Sequence, residues 1–205
     1  VKGVKIDKGH KKDYLTSKQS HKVLASIDTS TLKGLRDYAI VGLLLTTGLR
    51  TIEIARADIA DLRAVGDSIA LFIQGKGRDE KSEYVKIAPQ VEDAIRAYLT
   101  TRGEVTESEP LFTSTSRNNK GERMTTRSIS AIAKNSLVEA GYNSDRLTAH
   151  SMRHTAGTLA LLNGASPREV QQLLRHTNIN TTLIYMHELD RTKNDSELKV
   201  ANAIF

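Results

Sequence analysis

The strongest apolar pattern in the chain lies in "STLKGLRDYAIVGLLLTTGLR", where Leu32, Leu35, Ala39, Val41, Leu43, Leu44 and Leu45 cover more than one face of a helix. A helix apolar on most sides is a buried one, and Gly48 supplies its stop. Ahead of it, Val23, Leu24 and Ile27 share one face of a shorter helix that Thr16 or Ser17 can cap. A short helix over residues 51–55 is expected next. From Asp58 to Ala88 the period falls to two. Residues 59–62, 68–74 and 83–87 alternate and hold β-branched side chains, with Gly66-Asp67 and Gly75-Lys76-Gly77 as turn signals. Three antiparallel strands are predicted there.

The second half returns to helical spacing. Pro89 suits a first helical position and opens a helix to about residue 101. "RGEVTESEP" and "TSRNNKGER" are polar loops. Residues 125–140 form a helix stopped by Gly141, and "LTAHSMRHTAGTLALLNG" forms another, capped by Thr148 and stopped by Gly164. Ser166-Pro167-Arg168-Glu169 is a capping box that starts a helix through about residue 174. A last amphipathic helix is expected from Asn180 or Thr181 to about residue 189, with Thr181 and Thr182 able to cap it. The remaining tail is polar with an apolar tip, Val200, Ala201, Ile204 and Phe205. The fold class is α+β, mainly α-helical with a small three-stranded antiparallel sheet. One domain over residues 15–188 is expected, with a basic linker at 1–14 and a tail at 189–205.

Composition narrows the possible functions. The chain has 205 residues, 39% of them hydrophobic and 26% charged, which fits a soluble globular domain. No apolar run approaches the ~20 residues of a membrane span, and no secretory segment is present, so a cytoplasmic location is expected. The absence of cysteine excludes disulfides, thiol nucleophiles and Cys-ligated zinc. The first residue is Val1, which points to a piece of a longer protein. Net charge is +6, concentrated at the start: residues 1–22 hold seven lysines against two aspartates. Aromatics are 4% with no tryptophan, which disfavours base-stacking platforms. A basic, aromatic-poor chain leans toward duplex DNA.

Several polar residues sit where apolar ones would be expected. His150 and Arg153 are three apart, so they share one helix face, about 5–6 Å apart at Cβ. His154 points elsewhere and reads as a structural brace. A zinc site on His150 and His154 lacks the glutamate of H-E-x-x-H and any obvious third ligand. Arg50 stands at the end of the buried helix, with Glu53 three residues on as a natural ion-pair partner. Lys76 occupies a hairpin tip. Its Gly-Lys pair is no phosphate-cradling loop, because the earlier glycine and the following Ser/Thr are missing. Tyr185 is flanked by Ile184 and Met186, as a half-buried core residue would be, yet it is a nucleophile if cations surround its hydroxyl.

Taken together these residues make a pattern. "TTGLRTIEI", "TAHSMRHT" and "LLRHTNINTTLIYMH" occur in that order, with Lys76 between the first two. The set resembles the catalytic domain of the tyrosine recombinases, the phage-integrase family. The family pattern is T-G-L-R-x-x-E, a hairpin lysine, H-x-L-R-H-T, then L-G-H-x-x-x-x-T-T-x-x-Y-x-H. Here it falls on residues 47–53, Lys76, residues 150–155 and residues 174–187. Met152 replaces a leucine, which conserves volume. Arg175 replaces the glycine before His176, so the turn there is open to change.

The resemblance implies a specific chemistry. Family members cut duplex DNA by tyrosine attack on the scissile phosphate, leaving a 3′-phosphotyrosine and a 5′-hydroxyl that later reverses the step. Carried over, Tyr185 is the nucleophile, and Arg50 and Arg153 grip the non-bridging oxygens. Lys76 protonates the leaving oxygen, His150 exchanges a proton with the tyrosine, and His176 hydrogen-bonds the phosphate. Glu53 orients Arg50. No metal, cofactor or ATP is implied. The expected partners are duplex DNA, further copies of the chain as a tetramer on DNA (a monomer alone), and accessory DNA-bending proteins, with no membrane. The family usually adds an N-terminal core-binding domain and hands its C-terminal tail to a neighbouring subunit. Integration or excision of a mobile element is the expected role, with chromosome-dimer resolution as the alternative. A helix-turn-helix module over residues 166–189 is a rival that leaves Arg50, Lys76, His150 and Arg153 unexplained. A metal-dependent nuclease is a weaker rival.

Overall fold

The computed structural model describes residues 13–74, 80–180, 182–183 and 195–205. Helix α1, Ser17–Ala25, starts on a reciprocal cap: Thr16 Oγ1 accepts the Gln19 N–H at 3.3 Å, and Gln19 Oε1 accepts the Thr16 N–H at 2.8 Å. Helix α2, Leu32–Thr47, is the central element and packs against α1 and three later helices. Ala39 through Leu45 are all buried, which explains why its apolar pattern runs round the helix. Gly48 ends it in the left-handed conformation, φ 59°. The sharp turn sends the chain into α3, Thr51–Arg56.

The sheet follows, with one difference from expectation. Residues 59–61 form a 3-10 turn, and the first strand, β1, is Leu62–Val65. Charge explains the displacement. Asp61 Oδ2 accepts the Asp58 N–H at 2.7 Å, and Lys81 bridges the carboxylates of both aspartates. Arg123 adds a second ion pair to Asp58. Desolvation raises the Asp58 pKa, but the hydrogen bonds and charges of Lys81 and Arg123 outweigh it and leave the carboxyl below its ordinary range. Strands β2, Ser68–Ile73, and β3, Glu83–Lys86, complete a three-stranded antiparallel sheet in the order β1-β2-β3. Leu71 sits opposite both Leu62 and Val85 across the sheet. The expected turn at Gly75-Lys76-Gly77 lies outside the described residues.

Helix α4, Pro89–Arg102, has its proline in the first turn as expected and packs along α2. Helix α5, Thr126–Glu139, is capped by Thr125, whose Oγ1 accepts the Ser128 N–H at 3.1 Å. Helix α6, Ala149–Leu162, packs on α2 and has Ser151 to Thr158 buried. Helix α7, Pro167–Leu174, packs on α6 and starts with the expected Ser166–Glu169 cap. The helix expected after Asn180 lies mostly outside the described residues. The last described segment is a helix, α8, Ser196–Ile204, where the sequence suggested a polar tail with an apolar tip and no helix. Leu198, Val200 and Ile204 on it, and Phe205 just after it, are exposed.

The described start of the chain is docked on α6. Leu15 is buried and its N–H donates to Thr155 Oγ1 at 2.9 Å. The Tyr14 ring lies 5.8 Å from that of His154, and Asp13 pairs with Arg146 at 2.9 Å. His154 is thus a brace: it is buried, with Nδ1 3.0 Å from Thr158 Oγ1.

Candidate active site

The turn after α2 and the first turn of α6 open onto one cleft of about 630 Å³. Its lining includes Arg50, Thr51, Ser130, Lys134, His150 and Arg153, and no acidic residue among the described ones. Arg50 is the residue before α3, placed there by the left-handed Gly48. Its guanidinium is held from behind: Nη1 donates to Glu53 Oε1 at 2.8 Å, and its backbone N–H donates to Glu53 Oε2 at 2.7 Å. The Arg50 side chain remains 34% exposed, whereas that of Glu53 is 0% exposed. The carboxylate therefore sets the direction of the arginine without entering the cleft.

Arg153 is fixed differently. Its residue is 3% exposed, and its guanidinium donates to the carbonyls of Gly48 and Leu174. Those two carbonyls close helices α2 and α7, where helix carbonyls lack internal partners. One side chain thus joins the ends of two helices to α6. His150, one turn earlier, is exposed on the same helix and lines the same cleft. Lys134 reaches from α5 to the Ser144 carbonyl at 2.6 Å and so secures the loop that leads into α6. The first turn of α6 borders the cleft, and its partial positive charge favours an anion there.

His176 is not in the lining of this cleft; it follows Leu174, whose carbonyl accepts from Arg153, by two residues. It lines a second opening of about 580 Å³ with Glu83, Tyr84, Arg168, Gln171 and Arg175. Its Nδ1 is 3.0 Å from Thr182 Oγ1, and Thr182 is buried, which fixes the ring plane. The sequence pattern offered Thr182 only as a helix cap. Lys76 and Tyr185 lie outside the described residues, so the structure brings together Arg50, Glu53, His150 and Arg153, while His176 lines the second opening.

Arg175 keeps the turn that a glycine there would give. It is the only described non-glycine residue at positive φ, 52°, and the His176 N–H still donates to the Gln171 carbonyl at 3.0 Å. Its side chain reaches back to Glu53 Oε2 at 2.9 Å and to the Leu173 carbonyl at 2.7 Å. Burial lowers the guanidinium pKa, and the charge and hydrogen bond of Glu53 oppose that shift. Sequence reasoning flagged Arg175 as a departure but gave no sign of this ion pair, which joins positions 122 apart.

A family model described as "Phage integrase family" matches residues 13–192. Tyrosine recombinase XerC of Caldanaerobacter subterraneus subsp. tengcongensis is 34% identical over 191 residues, 92% of this chain and 49% of that protein. The chain thus spans about half the length of such curated relatives. The crystal structure of XerA recombinase superposes with a TM-score of 0.71 at 27% identity, covering 98% of this chain and 66% of that one. The fold is shared with XerH site-specific recombinase bound to a palindromic difH substrate in a post-cleavage complex, with a TM-score of 0.74 at 23% identity over 93% of this chain and 53% of that one. Among the described residues no helix is long and apolar enough to cross a membrane, and no group of three or more His, Asp or Glu side chains gathers as metal ligands.

Proposed function

Since the chain belongs to the phage integrase family of tyrosine recombinases, we propose that it cleaves and rejoins duplex DNA through a 3′-phosphotyrosine intermediate. The observation that carries this reading is the cationic cleft in which Arg50, His150 and Arg153 meet with no acid among the described lining residues. In this reading the Tyr185 hydroxyl attacks the scissile phosphorus and passes its proton to His150. The bond from phosphorus to the 5′-oxygen breaks, and Lys76 donates the proton that makes that oxygen a hydroxyl. Arg50 and Arg153 hold the two non-bridging oxygens, for which planar, permanently charged guanidiniums are suited. His176 donates to the same phosphate. A 5′-hydroxyl of another strand then reverses the sequence, so the bond energy is conserved and no nucleotide is consumed.

The magnitudes are compatible with a site made of side chains alone. Enzymes of this kind lower barriers by roughly 8–23 kcal/mol. One preorganised charged donor supplies roughly 3–4 kcal/mol, and one acid–base group about 3–5 kcal/mol. Two arginines, two histidines and a lysine reach that range.

The working assembly in this proposal is a tetramer on duplex DNA, with the exposed apolar face of α8 passed to a neighbouring subunit. Integration or excision of a mobile element is the role proposed. The decisive experiment offers the protein a pool of nicked suicide duplexes with randomised arms, in EDTA, and recovers DNA that survives denaturation on the protein. A covalent adduct mapped by peptide mass spectrometry to Tyr185 is expected. Cleavage only on addition of a divalent metal, or an adduct on another residue, overturns the mechanism. The recovered sequence tests the role: an element end supports it, and a chromosomal site that borders no element points to dimer resolution.

Binding should be led by phosphate contacts. Raising monovalent salt from about 50 to about 200 mM is expected to weaken duplex binding at least about tenfold. Fluorescence anisotropy on a labelled duplex measures this, and a change under about twofold argues against phosphate-led binding.

A further inference from the structure

Behind the cleft, one buried carboxylate serves two guanidiniums. Glu53 Oε1 accepts from Arg50 Nη1 at 2.8 Å, and Glu53 Oε2 accepts from Arg175 Nη2 at 2.9 Å. The Glu53 side chain is 0% exposed and that of Arg175 8%, while Arg50 faces the cleft. An isolated Arg50–Glu53 pair would be close to neutral, so an anion approaching Arg50 would feel attraction and repulsion together. Arg175 changes that balance. It binds the far oxygen of the carboxylate and leaves one net positive charge on the trio.

We propose that Arg175 is a positioning residue that offsets the charge of Glu53, so that Glu53 can orient Arg50 without cancelling its attraction for a phosphate. The role rests on the functional reading above, in that Arg50 is taken as a phosphate ligand. It also gives a reason for a non-glycine residue at φ 52°, a conformation that costs an L-residue free energy. Glycine would relax that turn but would leave Glu53 with Arg50 alone.

The test uses the full chain and inorganic phosphate as the probe, followed by NMR of the arginine Nε–H signals. Arg175→Gly is expected to fold, because glycine suits the turn, and to bind phosphate about fivefold more weakly. Arg175→Lys restores the charge and is expected to recover most of that loss. The decisive variant is the double Glu53→Gln, Arg175→Gly, which has the net charge of the wild type. It is expected to bind at least about twice as tightly as Arg175→Gly. A brace of purely structural value predicts the reverse, with the double variant no better than the single. Wild-type affinity in folded Arg175→Gly, no rescue in the double variant, or no phosphate bound by the wild type overturns the proposal. Loss of the Tyr185 adduct with these affinities intact would sink the cleavage mechanism alone.

Discussion

Arg153→Ala is expected to slow formation of the covalent DNA adduct by at least about a hundredfold, the effect of removing one preorganised donor to a developing charge. The same substitution is expected to destabilise the fold by about 2–4 kcal/mol. The two losses share a cause. The Arg153 guanidinium supplies donors to the Gly48 and Leu174 carbonyls, both at helix ends. Without it those buried acceptors are stranded unless water enters, and the ends of α2 and α7 lose their link to α6. Arg153→Lys retains one charge but cannot span two carbonyls and a phosphate together. It is therefore expected to recover part of the stability and little of the rate. Chemical denaturation read beside single-turnover adduct kinetics separates the two. A variant with full stability and full rate would show that Arg153 is neither link nor ligand.

Gly48→Ala is the second large effect, about 2–4 kcal/mol of lost stability. Gly48 has φ 59°, a region costly for alanine, and a Cβ there would come within 2.5 Å of Leu174 Cδ2. For a chain of this size the unfolding midpoint should fall by about 5–15 °C. Gly48→Asn separates the two contributions, because asparagine tolerates the left-handed region but keeps the collision. It is expected to recover about 1 kcal/mol and no more. Since Gly48 both aims Arg50 and accepts from Arg153, either substitution should also lower adduct formation beyond what unfolding explains.

What the sequence disclosed and what it withheld divide along range. Caps at Thr16 and Ser166, the Gly48 stop and Pro89 are local instructions, and the helices they bound lie where expected. The first strand was displaced because Lys81 and Arg123, distant in sequence, hold Asp58 and Asp61 in a turn. The family boxes identified Arg50, Glu53, His150 and Arg153, which the fold gathers at one place. They could not reveal that Glu53 also holds Arg175, since no periodicity links such remote positions. The pairing of His176 with Thr182 escaped notice for a related reason: a threonine pair at a helix start reads first as a cap.

The docking of Asp13 to Leu15 on α6 has a mechanical consequence. The Leu15 N–H is fastened to Thr155, and the Tyr14 ring rests against His154, both immediately after Arg153. A load applied to the chain at this point is delivered to the middle of the helix that carries Arg153. The entry segment is thus a lever on the helix that carries His150 and Arg153, so a pull there bears on one wall of the cleft.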